Sequence, residues 1–255
     1  MPTISGGDWL IVAGDVGERF DEIVDTLSVL RERFEVVIWV SGNHELWTLP
    51  GDPATSRCAA RYLQFVEALR RVDALTPEDP YPTWESADGP VVVAPLFFLY
   101  DYTFRPPGTA SKQEALAVAE AAGVLCADEI LLHPDPYPSR EDWCAARLDY
   151  TRARLDQIPA DARTVLVNHW PLVREPTSVL AYPEFALCEQ TRDWPTRYRA
   201  AAVVYGHLHM PRTIEVDGVP HHEVSVGYPH EWGRLGAPAR RLVPILGART
   251  ERIGS

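Results

Sequence analysis

Apolar positions along the chain fall into short continuous runs separated by longer stretches of helical spacing. Residues 8–13 (DWLIVA) read as a short buried strand that stops at Gly14-Asp15. Over residues 19–34, Phe20, Ile23, Val24, Leu27 and Leu30 recur at helical spacing with acids and arginines between them. Residues 35–40 form a second strand. Strand, helix and strand with short connections make a βαβ unit, so the two strands should run parallel with a right-handed crossover. Residues 57–71 repeat the helical spacing with Tyr62, Phe65, Val66 and Leu69 inward, and residues 91–96 are a further strand. Residues 75–90, rich in proline and acids, read as a surface connection.

The texture changes over residues 101–140, where Arg105-Pro106-Pro107-Gly108 and the alternate prolines Pro134, Pro136 and Pro138 break regular structure. This stretch reads as a cap-like insertion over one end of the sheet, with a helix at residues 113–122. Ser139 is placed to cap a helix running to about Gln157, with Asp142 three residues on. Strands follow at residues 163–167 and 201–205. Two alternating runs, 212–216 and 219–226, flank Asp217-Gly218, which is a hairpin signal. Residues 241–246 could add one more strand. The order predicts one α/β domain over residues 1–255, with strands in two packed sheets and helices outside.

The 255 residues carry a net charge of -12, which argues against non-specific contact with nucleic acid or an anionic membrane. No apolar run approaches the ~20 residues of a membrane span, and no basic-then-apolar leader opens the chain. Cys58, Cys126, Cys144 and Cys188 are scattered, which suits reduced thiols and a cytoplasmic setting. The pattern leaves the oligomeric state open.

Four strand patterns end at residues able to bind a metal: Asp15 after Gly14, Asn43 and His44 after Gly42, His169 after Asn168, and His207 and His209 after Gly206. Each alone is an ordinary turn or buried polar residue. Together they place oxygen and imidazole donors beyond the carboxyl ends of strands, where α/β folds keep their chemistry. Such donors without thiolate suit divalent ions of the Mn, Fe, Zn or Mg class. Glu45 has two readings, an acceptor orienting an imidazole or an acid at a helix start.

These motifs, Gly14-Asp15, Gly42-Asn43-His44-Glu45, Asn168-His169 and Gly206-His207-Leu208-His209, resemble those of the calcineurin-like metallophosphoesterase superfamily over residues 8–226. The resemblance implies a four-layer α/β/β/α sandwich of two mixed sheets, and two divalent metal ions. It implies hydrolysis of a small phosphorylated substrate, a phosphomonoester or phosphodiester, by metal-activated hydroxide. Asp15 would bridge the ions, Asn43, His169 and His207 would complete one site, and His209 would serve the other. His44 would protonate the leaving oxygen. The family's opening Asp-x-His motif and its strand have no counterpart before Asp15, which leaves the His209 half with few ligands. Three readings stay open: an upstream segment supplies the motif, the chain is a one-metal variant, or it binds a phosphorylated ligand or protein partner without turnover.

Other residues carry weaker signals. His230, His133, His221 and His222 are candidate substitute ligands, with solvent exposure on a strand the plainer reading for His221 and His222. Trp170 reads as pocket wall or packing, and Phe97, Phe98, Tyr100, Tyr102 and Phe104 as core or as an aromatic platform. Arg105, Arg140 and Arg212 read as surface arginines or phosphate ligands.

Overall fold

The computed structural model describes residues 7–51, 56–177, 185, 188–232 and 242–247. The opening βαβ unit forms as the pattern predicts. β1 (Trp9–Val12) pairs in parallel with β2 (Val36–Trp39), and α1 (Phe20–Arg31) crosses between them with Ile23 and Leu27 buried. A one-turn α2 (Asn43–Leu46) follows β2, and α3 (Cys58–Arg71) buries Tyr62, Phe65, Val66 and Leu69. The second sheet has six strands. β3 (Thr83–Ser86), β4 (Gly89–Pro95), β5 (Arg163–Val167), β6 (Ala200–Tyr205), β7 (Arg212–Val216) and β8 (Val219–Glu223) lie in the order β3-β4-β5-β6-β8-β7. β4, β5, β6 and β8 are parallel, and the two edge strands are antiparallel to their neighbours.

Side-chain alternation defines the layers. Ile38 and Val40 join Val91, Val93, Val165, Val167, Ala202 and Val204 in one cluster, the filling between the sheets. Val37, Trp39, Ala94, Leu166, Val203 and Tyr205 point the other way, into the cluster that contains residues of α1, α3 and the long helix α6 (Arg140–Leu155). The result is helix, sheet, sheet, helix. Among the described residues the smaller sheet is a parallel pair, where a mixed sheet was expected.

Local chemistry accounts for the joins. Asp217 and Gly218 both take positive φ, 51° and 77°, as a two-residue turn between twisted strands requires. Ser139 caps α6, accepting from Asp142 N at 3.0 Å. α4 (Lys112–Ala121) and the one-turn α5 (Asp128–Leu131) lie within residues 101–140. A last one-turn helix, α7 (Trp194–Arg197), precedes β6.

Several expectations are corrected. Residues 75–90 contain β3, an edge strand of only four residues whose apolar signal is a single tryptophan. Residues 242–247 form no strand, although Gly247 O accepts from Ala87 N, and Arg241 lies outside the described residues. Arg140 is buried at 9% exposure, donating to Asp128 O and Glu129, so it is a structural anchor. His221 is fully buried, because β8 is an interior strand between β6 and β7. His222 is half-buried and bonds Thr213 Oγ1. Phe97, Phe98, Tyr100, Tyr102 and Phe104 are buried and belong to the core.

Candidate active site

The loops after β1, β2, β5 and β6 meet at one point, and two glycines let the first two touch. Gly14 has φ 82°, and a Cβ there would lie 2.6 Å from both Gly42 N and His169 Nδ1. A Cβ on Gly42 would lie 2.1 Å from Asp15 Oδ1. The loops are tied by Glu45, which is fully buried. Its carboxylate accepts from Gly42 N, Asp15 N and Val16 N, each at 2.9 Å. Glu45 therefore orients backbone rather than an imidazole. Burial, reinforced by the charge of Asp15, pushes its carboxyl up to about 7 against the pull of those donors.

Asp15 Oδ2 lies 3.2 Å from His169 Nε2, and Asn43 Oδ1 lies 3.1 Å from the same nitrogen. His169 Nδ1 donates to the Ala13 carbonyl at 2.7 Å, because a carbonyl can only accept. Nε2 is thus the ring nitrogen turned inward, and both its neighbours are acceptors. Without a cation the ring must carry a second proton to satisfy them. Burial opposes that charge, but Asp15 outweighs it and pushes His169 up to about 9. Asp15 is in turn held well below the usual carboxylate range: burial raises it, but the histidines around it, His169 foremost, lower it by more.

His207 completes the group: Asp15, His169 and His207 offer ligand atoms all within 4.8 Å of one another. Its Nε2 donates to Phe185 O at 2.9 Å, which leaves Nδ1 with the lone pair. Burial and the neighbouring His169 charge push this imidazole down to about 3, so it stays neutral and able to coordinate. Carboxylate oxygen, amide oxygen and two imidazole nitrogens converge, and the inward proton that His169 Nε2 carries stands where a divalent cation would satisfy the same acceptors. His209 stands apart from that group, its Nδ1 at 2.9 Å from Glu231 Oε2. His207 and His209 both adopt positive φ, 70° and 52°, a turn that sends the two rings to different partners.

His44 lies beside the cluster, Nε2 at 4.0 Å from Asp15 Oδ2 and 3.1 Å from the Tyr228 hydroxyl. Nδ1 faces Glu18 Oε1 at 3.2 Å, and the ring packs tilted against Trp47, with centroids 3.7 Å apart and planes at 34°. His230 stacks on Tyr228 and is not in the metal-type cluster, nor are His133, His221 and His222. Trp170 is fully buried and edge-on to His169, so it packs the histidines rather than lining open space. Sequence reasoning missed Glu18, Asp128, Tyr228 and Glu231, which reach the site from outside the four strand-end motifs. The one sequence signal near them is His230, which lies between Tyr228 and Glu231.

The cluster opens into a cavity of about 740 Å³ that runs along β1 between the sheets. Polar residues, including Asp15, His44, His169, His207 and His209, stand at one end. Trp9, Ile11, Trp84, Val93 and Ile245 are among its apolar walls.

A family model described as calcineurin-like phosphoesterase matches residues 2–211. The chain belongs to that family. A member from Mycobacterium tuberculosis, the acyl-carrier-protein phosphodiesterase PptH, is 53% identical over 233 residues, 90% of this chain and 72% of its own. The crystal structure of phosphopantetheinyl hydrolase PptH from the same organism matches with a TM-score of 0.89 and 50% identity, covering 95% of this chain and 86% of that one. This calcineurin-like phosphoesterase is accordingly a phosphoester hydrolase with the family's α/β fold.

Proposed function

We propose that this chain is a divalent-metal-dependent phosphodiesterase that removes the phosphopantetheinyl group from an acyl carrier protein. The observation that carries the metal-dependent reading is the convergence of Asp15, His169 and His207, with the Asn43 amide oxygen turned to the same His169 nitrogen. The substrate class rests on the likeness to PptH, whose names specify that group and that carrier. A cation held by these four residues would polarise the phosphoryl oxygens and activate the attacking water.

The chain's own residues do the rest. Asp15, tied through its backbone to Glu45, keeps one carboxylate oxygen at the cluster. His44 holds Nδ1 toward Glu18 and so presents Nε2 to the departing oxygen, to which it gives a proton. His209, held by Glu231, faces the same end of the cavity and supplies a further imidazole for the phosphoryl group or a second cation.

The test is incubation with Mn2+ and a phosphopantetheinylated carrier protein, followed by mass spectrometry of the carrier. We expect loss of the group. His44→Ala should lower kcat by about 10²–10⁴ with bound metal unchanged. Asn43→Ala should weaken the metal itself. Turnover of a nitrophenyl phosphodiester with the carrier left intact would remove the substrate assignment and keep the hydrolase.

A further inference from the structure

We propose that Asp128 is a positioning residue for both working halves of the site. It fixes the Asn43 amide with its oxygen toward His169, and it holds the indole against which the His44 ring packs. The proposal rests on reading Asn43 as a metal ligand and His44 as the leaving-group acid.

Asp128 sits on α5, 85 positions from Asn43, at 1% exposure. Its Oδ1 accepts from Asn43 Nδ2 at 3.0 Å and from Trp47 Nε1 at 2.6 Å, and its Oδ2 accepts from the Tyr100 hydroxyl at 2.9 Å. The Trp47 indole can only donate, so Oδ1 is an acceptor and faces the NH₂ side of the amide. The two ends of an asparagine amide have nearly the same shape, and packing alone does not choose between them. With Asp128 in place the Asn43 oxygen is committed to the cluster. Without it, a half-turn would aim two N–H donors at a cation. The same oxygen pins Trp47, whose ring lies 3.7 Å from the His44 ring. Two of the three side chains bonded to this carboxylate therefore flank His44 in the sequence. A clamp whose only task was to dock α5 would not need to select those two.

The experiment measures Mn2+ affinity by calorimetry, melting temperature, and kcat and KM on a nitrophenyl phosphodiester, all on the full chain. Asp128→Leu should weaken Mn2+ binding about 10–100-fold, as loss of a group that orients a ligand does, and should lower kcat more than it changes KM. Asp128→Asn keeps an acceptor oxygen for Asn43 and Trp47 while its NH₂ group turns to the Tyr100 oxygen, and should retain Mn2+ affinity within about threefold. Tyr100→Phe removes the bond that does not reach the site, so it should lower the melting temperature and leave Mn2+ affinity alone. Wild-type Mn2+ affinity in Asp128→Leu, with only a lower melting temperature, overturns the proposal. Where Asp128→Leu does not fold, the exchange decides. Asn43→Asp sets two carboxylates face to face, and adding Asp128→Asn should recover Mn2+ affinity; no recovery overturns the proposal. A wild-type chain that binds no divalent ion overturns the metal reading itself, and this one with it.

Discussion

Gly42 has no side chain because Asp15 occupies the place where one would stand. A methyl there would lie 2.1 Å from Asp15 Oδ1. Gly42→Ala must therefore push the carboxylate or the loop aside. We expect a loss of about 1–3 kcal/mol in urea unfolding, the usual cost of forcing atoms into a packed site, together with at least a tenfold weaker affinity for Mn2+ in calorimetry. The cluster residues were legible as candidates because each stands directly after a buried strand. What Glu45 does was not, since the N–H groups it accepts from on Asp15 and Val16 lie 30 and 29 positions away. Asp128 was hidden for the same reason, in a stretch with no repeating pattern to mark it.

At the scale of elements, periodicity carried the reading where burial follows it. The βαβ opening, α3, α6 with its Ser139 cap and the Asp217-Gly218 hairpin all form at the expected places. β3 escaped because an exposed edge strand of four residues offers too few apolar positions. β8 misled differently: its inward positions are Val219, His221 and Glu223, and a polar residue on a buried face carries no sequence signal. His221 has no hydrogen-bond partner at either ring nitrogen among the described residues, and burial pushes it down to about 4 from its ordinary 6.5. Between those values the unfolded chain binds more protons than the folded one, so stability rises with pH across that window. Lowering the pH from 7 to 4 should cost roughly 3 kcal/mol through this residue. Urea midpoints across that range should fall less steeply in His221→Leu than in the wild type.

At the scale of the whole molecule, the cluster joins the two sheets. Asp15 and Asn43 follow strands of the small sheet, and His169 and His207 follow strands of the large one. A cation bound there links the layers and binds only the folded chain. At about 100 times its dissociation constant it should add about 2.7 kcal/mol. Chelation should therefore lower the melting temperature of the wild type, while Asn43→Ala should respond much less. A cation shared between layers also means that neither sheet holds its half of the ligands in place alone.

Among the described residues, the strand that leads to Asp15 is bonded along one side. Among the described residues β1 pairs with β2 only, and the cavity lies against it. β5 and β6, which deliver the histidines, are bonded on both sides. Local opening costs least where the fewest hydrogen bonds must break. Deuterium from solvent should therefore reach the amides of β1 well before those of β5. The two imidazoles would then rest on the slowest-breathing part of the sheet, and the carboxylate between them on a strand that opens sooner.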